Sequence, residues 1–359
     1  METPQAELIQ IQEEPQLTPP LQEKKNKLST LLFYVTNRCN YRCSHCFYWD
    51  SLNVKEVLSF DEIKKIADGV GKLDTLLVAG GEPFLRKDLI EICNYFIDHC
   101  GVRLLSIPTN GSLNKKVIDF VKLMHNRCKL RLYISLDGMR ETHNKIRQVD
   151  GFDNAIGLLS TLVQMKKEYN FSPLAMITVS NQNYREIEGL AEILNGIGAH
   201  YSITPVRGTP KEGDFQPPTS AQWGELVKNL IKKRGFLGDD ASYHNNQKSL
   251  VKRIHRKLLT HSKMKMVQDA LDGKRNYVCN AGEEIGVVDF EGNVFFCELT
   301  KKIGNLKEYN WDFDKLWFSP EAEAYRPEIQ TCVCTHGCFI RSPYMRTTEK
   351  LSHWLYPGA

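Results

Sequence analysis

The sequence contains no run of about 18 uncharged apolar residues, so no helical membrane span is expected. No apolar segment preceded by basic residues stands near its start, so no secretory signal peptide is expected. A large excess of one sign of charge is lacking: 47 basic against 43 acidic residues leave a net +4. Nucleic-acid-binding domains usually carry a more concentrated basic footprint, and no nucleic-acid partner is expected. Neither G-x-G-x-x-G after a strand-like run nor G-x4-G-K-[ST] occurs, which removes a dinucleotide fold and a P-loop. What is present is an ordinary globular balance, 42% hydrophobic and 25% charged over 359 residues, with room for two or three domains. Eleven cysteines without a signal peptide read as metal or redox ligands in a reducing cytoplasm, not as a disulfide framework.

Three of those cysteines, Cys39, Cys43 and Cys46, lie in CNYRCSHC with C-x3-C-x2-C spacing. Thiolate is the usual protein ligand of iron–sulfur iron, and three thiolates within eight residues can hold three corners of a cubane. No fourth cysteine is near in sequence, so one iron would stay open to an outside ligand. The array follows the apolar run Leu31–Thr36, which places it on the loop leaving a strand's carboxyl end, where barrel enzymes keep their chemistry. A zinc site borrowing His45 is the competing reading, but structural zinc sites usually come as paired C-x2–4-C hooks.

From Leu31 to about Arg207 strand-like and helix-like pieces alternate, which predicts a parallel sheet with helical crossovers. Strands are predicted at 31–35, 75–79, 103–107, 130–135, 174–179 and 200–204. Ser59 with Glu62 forms a capping box before Ile63, Ile66 and Val70; Asn183 with Glu186 is read as the start of a helix carrying Ile187, Leu190 and Leu194. Gly80-Gly81-Glu82-Pro83 follows the second strand and Thr109-Asn110-Gly111 the third.

The cysteine array, the GGEP and TNG loops and six β/α units resemble the radical S-adenosylmethionine (SAM) family. The resemblance implies an α/β partial (β/α)6 TIM-like barrel, a [4Fe–4S] cluster on Cys39, Cys43 and Cys46, and SAM on the open iron, cleaved to a 5′-deoxyadenosyl radical. It also implies SAM contacts from Gly80, Gly81, Glu82, Pro83 and Asn110, with the glycines letting the backbone approach a ligand. Ser135 and Asp137 would serve SAM's ribose and carboxylate, and Arg147 would pair with the carboxylate. Asn183 and Val206 would meet ribose and adenine.

Residues 208–275 read as a loop followed by helical patterns at 219–234 and 247–271. From Lys248 to Arg275 there are nine Lys or Arg residues, a solvated cationic face or an attraction for an anionic or membrane-surface substrate. IGVVDFEGNVFF between Cys279 and Cys297 reads as a hairpin turning at Glu291-Gly292. With IGNL and the cluster Cys332, Cys334 and Cys338 it resembles the SPASM and twitch extensions of radical SAM enzymes, which hold auxiliary [4Fe–4S] clusters. Five cysteines follow residue 275, enough for one such cluster. The tight C-x-C suggests Cys338 and one of Cys332 and Cys334 as ligands, the other being free or a hydrogen donor. Cys93, Cys100 and Cys128 read as packing residues.

The expected organisation is a mobile tail over 1–30, the SAM barrel over 31–207, a helical region over 208–275, the auxiliary domain over 276–345 and a tail over 346–359. The function this implies is hydrogen abstraction from a small-molecule, sugar or lipid substrate, with electrons from a donor such as flavodoxin or ferredoxin. A maturase acting on a peptide or protein is the alternative enzyme; an iron–sulfur protein without catalysis is the alternative of another class.

Overall fold

The computed structural model describes residues 27–54, 58–233, 236, 250–337 and 339–341, the first ten residues from 250 by backbone alone. Most of the two predicted tails, and Cys338, fall outside the described residues.

Six parallel strands form the body: β1 (Thr30–Thr36), β2 (Thr75–Gly80), β3 (Leu104–Thr109), β4 (Lys129–Ser135), β5 (Phe171–Val179) and β6 (His200–Pro205). Each matches a predicted strand. Between them run α1 (Phe60–Val70), α2 (Leu89–Cys100), α3 (Asn114–Met124), α4 (Arg140–Arg147), α5 (Phe152–Met165) and α6 (Ile187–Gly196). Residues 31–36 of β1 are all buried, the mark of a parallel strand covered on both faces. The largest offset is at β5, which begins three residues before its predicted start. Pro173 reads as a strand breaker, yet it pairs only with Leu132 of β4, because β6 joins β5 from Leu174 onward.

The Ser59–Glu62 capping box forms as predicted and starts α1, whose Ile63, Ile66 and Val70 are fully buried. Asn183 caps no helix: its side chain makes no cap hydrogen bond, and α6 begins at Ile187 after a short 3-10 turn. Helices α7 (Ser220–Leu230), opened by a Thr219–Gln222 capping box, and α8 (Leu250–Leu271) follow. Cys93 and Cys100 are fully buried packing residues.

The chain then returns to the far edge of the sheet. After β7 (Val278–Cys279), β8 (Ile285–Val288) pairs in parallel with β1, from Thr30 opposite Ile285 to Phe33 opposite Val288. β9 (Asn293–Phe295) and β10 (Lys302–Asn305) add antiparallel, and the β8–β9 turn lies where the hairpin was predicted. The result is one open nine-stranded sheet, β10-β9-β8-β1-β2-β3-β4-β5-β6, continuous across the expected boundary between SAM barrel and auxiliary region. α9 (Phe313–Trp317) and α10 (Pro320–Ile329) lead to β11 (Ile340–Arg341), which pairs with β7 and sets Ile340 opposite Cys279. Among the described residues no helix is long and apolar enough to cross a membrane.

Candidate functional site

The carboxyl ends of β1 to β6 surround a cavity of about 340 Å³, within the size range of small-molecule sites. Cys39, Cys43 and Cys46 all open onto it. Separate segments grip their loop. Asn53, in the left-handed region at φ 59°, accepts from Cys39 N–H and donates to Cys39 O, both at 3.1 Å. Arg147 Nη1 donates to Cys43 Sγ at 3.7 Å. A strap beyond β6 covers the rest: Lys211 N–H donates to Cys46 O at 3.1 Å and Glu212 N–H to Ser44 O at 2.9 Å. The Glu212 carboxylate accepts from Ser44 Oγ at 2.7 Å and from Gln148 Nε2 at 2.6 Å.

The two loop glycines serve this same loop. A Cβ at Gly80, where φ is 135°, would stand 2.1 Å from Thr36 O, and one at Gly81 would stand 2.2 Å from Arg38 O and 2.9 Å from Cys39 Cβ. The close backbone approach expected from their sequence is thus made to the chain leading into the first cysteine. Gly81 N–H donates to Thr36 O and Glu82 N–H to Arg38 O. Glu82, also on the cavity wall, accepts from Phe84 N–H, Thr109 Oγ1 and Asn110 N–H, at 3.2, 3.0 and 2.7 Å. Burial pushes its carboxyl up to about 7. Pro83 is buried at the start of the following 3-10 turn.

Asn110, Ser135, Arg147 and Val206 line the cavity. Asp137 and Asn183 stand behind it, fully or almost fully buried. Asp137 Oδ2 accepts from Arg147 Nε and Nη2 at 2.6 Å, and its Oδ1 accepts from Thr178 N–H. Burial opposes its charge, but Arg147 holds the carboxyl below its ordinary value. Asn183 Nδ2 donates to Asp137 O and Thr178 O, both at 2.8 Å, tying the loops after β4 and β5 together. The pair therefore positions Arg147.

Three sheltered thiols around one cavity, one receiving a guanidinium hydrogen bond, fit an iron–sulfur cluster, since hydrogen bonds to sulfur tune such centres. Burial pushes Cys39 and Cys46 up to about 11, so a cluster must displace thiol protons to bind. Among the described residues no three His, Cys, Asp or Glu side chains converge on a single metal ion. His45 faces Asp137, Nε2 to Oδ2 3.6 Å, and burial lowers it to about 4.

The sequence analysis missed the far wall. Tyr34 Oη donates to Glu298 Oε2 at 3.1 Å, and Arg207 donates to Glu298 Oε1 through Nε at 2.9 Å. Burial opposes the Glu298 charge, and Arg207 keeps the carboxyl below its ordinary value. Two signals were available. Glu298 directly follows Cys297 and Arg207 directly follows Val206, while Tyr34 shares a face with Leu32 at strand spacing.

Of the second cysteine set, Cys279 and Cys297 are buried, Cys334 is half-buried and Cys332 exposed. The β7–β11 pairing brings the stretch ending at Ile340 back to Cys279, and Asn280 N–H donates to Phe339 O at 2.9 Å. Cys338 lies outside the described residues.

Residues 33–194 match the Radical SAM superfamily. AdoMet-dependent heme synthase from Methanosarcina barkeri is 32% identical over 307 residues, 81% of this chain and 82% of that protein. Fe-coproporphyrin III synthase from the same organism is 26% identical over 312 residues, 83% of this chain and 75% of that one. The fold resembles that of Streptococcus suis SuiB bound to S-adenosylmethionine, with TM-score 0.59 and 15% identity over 87% of this chain and 73% of SuiB. The open, parallel-dominated sheet is thus a partial TIM-like barrel. By its match along most of a relative's length, this chain belongs to the Radical SAM superfamily, enzymes that bind a [4Fe–4S] cluster and S-adenosylmethionine.

Proposed function

We propose that this enzyme holds its radical-generating cluster on Cys39, Cys43 and Cys46 and abstracts hydrogen from a carbon of a small-molecule substrate. The observation that carries this reading is the cavity at the strands' carboxyl ends, which all three thiols share with Glu82 and Arg147. When bound, the cluster with SAM supplies a 5′-deoxyadenosyl radical. The chain's own residues do the rest. Glu82 offers a carboxylate to the SAM ammonium, and Ser135, Asn110 and Val206 line the space for its remainder. Arg147, oriented by Asp137 and Asn183, holds positive charge beside Cys43 and stabilises its thiolate. Buried walls exclude water from a reactive site.

The region from about residue 276 carries, in this reading, one auxiliary [4Fe–4S] cluster drawn from Cys279, Cys297 and the later cysteines. Held there, such a cluster would supply an acceptor for the electron of the substrate radical, or a contact that helps to bind the substrate. Two relatives that align over most of this chain are named for making iron tetrapyrroles. That favours a small molecule over a peptide, and an iron tetrapyrrole bearing carboxylate side chains is the first candidate. Flavodoxin or ferredoxin is the proposed electron donor.

The protein reconstituted with iron and sulfide, reduced and given SAM should form 5′-deoxyadenosine and methionine. Iron coproporphyrin III should accelerate this and change in mass. Alanine at Cys39, Cys43 and Cys46 together should abolish cleavage; if that variant cleaves SAM at the native rate, the assignment is wrong. Cleavage that no tetrapyrrole stimulates would leave the radical chemistry and remove the substrate.

A further inference from the structure

One histidine on the cavity wall has both ring nitrogens engaged. His336 is 1% exposed. Its Nε2 lies 3.4 Å from Glu298 Oε1, and its Nδ1 lies 3.7 Å from Cys297 Sγ. Glu298 is held as a carboxylate by Arg207, whose Nε and Nη2 approach Oε1 at 2.9 and 2.7 Å. A carboxylate only accepts, so Nε2 carries the hydrogen. In a neutral ring, which burial favours, the Nδ1 lone pair then points at the Cys297 sulfur. Against a thiol this is a hydrogen bond, with S–H donating to nitrogen. Against a thiolate two lone pairs would face each other, and the nitrogen would need a cation.

Histidines that bind metal commonly have this arrangement: one nitrogen on the metal, the other N–H held by a carboxylate that fixes the tautomer and the ring. The thiol count points the same way. Cys279, Cys297 and Cys334 are sheltered and near enough to influence one another. Cys332 is near enough to influence Cys279 and Cys334 but is exposed, and it is its carbonyl that Arg275 Nη1 and Tyr277 Oη hold, at 2.6 and 2.9 Å. Among the described residues, which do not include Cys338, three sheltered thiols leave one corner of a cubane to fill. His336 also places its backbone N–H 3.2 Å from Cys334 Sγ, so it touches two of the three.

We propose that His336 Nδ1 is a ligand of the auxiliary cluster, beside Cys279, Cys297 and Cys334, and that Glu298 holds the ring in place. This rests on the auxiliary cluster proposed above. Replacing a thiolate by a neutral imidazole removes one negative charge and raises a cluster's potential, as suits an electron acceptor. The histidine corner would also be the one that faces the cavity, since His336 and Glu298 form part of its wall.

The test uses the full chain with Cys39, Cys43 and Cys46 replaced by Ala, reconstituted with iron and sulfide, so that only the auxiliary cluster contributes. Pulsed electron paramagnetic resonance of the reduced protein should show a directly bound nitrogen that responds to isotopically labelled histidine. His336→Ala should lose that coupling. His336→Cys, added to cover a failure of the Ala variant to fold, should rebuild an all-thiolate cluster of about four irons without it. A cluster with no bound nitrogen, or with only the weak coupling of a hydrogen-bonded one, overturns the proposal and leaves the auxiliary cluster standing. A chain that takes up no iron removes the cluster itself, and the proposal with it.

Discussion

Glu82 is a buried carboxyl that three hydrogen bonds do not fully compensate, and burial raises it from 4.5 to about 7. A raised folded-state pKa means that the native chain holds this proton more tightly than the unfolded chain. The stability it contributes is complete below pH 4.5 and is lost as the pH rises through about 7. We therefore expect the metal-free protein to lose up to about 3 kcal/mol relative to Glu82→Gln across that interval. Thermal unfolding of both proteins between pH 4.5 and 8 measures it; a constant difference would show that the carboxyl titrates normally. At this scale the sequence was legible where partners are close in the chain. The three cysteines announce themselves by spacing because one short loop carries them all. Glu298 and Tyr34 do not, since 264 positions separate the two ends of their hydrogen bond. Asn183 was misread for a related reason. Its type and its spacing to Glu186 fit a helix cap, but its amide is taken by carbonyls of the loop after β4 and of β5 itself.

Helices, strands and straps follow different rules of legibility. The strands were readable because parallel strands buried on both faces give continuous apolar runs, and only the pairing of β5 on one side at Pro173 hid a strand's true start. The strap at 211–212 has no periodicity and no motif, yet it covers the loop that carries Cys43 and Cys46. Glu212 joins Ser44 on that loop to Gln148 at the end of α4, whose backbone is left-handed at φ 55°. A hydrogen bond to a charged group contributes about 1.5 kcal/mol, so Glu212→Ala should raise the population of the opened loop about tenfold. Release of iron from the reconstituted protein to a chelator should accelerate to match, with the secondary structure unchanged. Equal release rates would show that the strap's two backbone hydrogen bonds hold the loop without the carboxylate.

The whole molecule is held by a strand with neighbours from opposite ends of the chain: β1 lies between β2 and β8. A chain ending at residue 275 would keep every residue proposed to contact SAM but leave one edge of β1 open, a row of unpaired backbone groups beside apolar side chains. We expect such a truncated protein to aggregate, which light scattering after size-exclusion chromatography would show. A monodisperse product would mean that the hairpin at 285–295 is dispensable to the barrel. The sequence did reveal this hairpin, but not its seat, because a strand's partner is chosen by the three-dimensional course of the chain. The same pairing sets a timetable for the nascent protein. β1 leaves the ribosome about 250 residues before β8, an interval on the order of tens of seconds at ordinary rates of synthesis. Throughout it, the strand that precedes the cysteine loop has a free edge. Slowing translation before residue 285 should therefore lower the yield of iron-loaded protein, and an unchanged yield would show that the open edge is harmless.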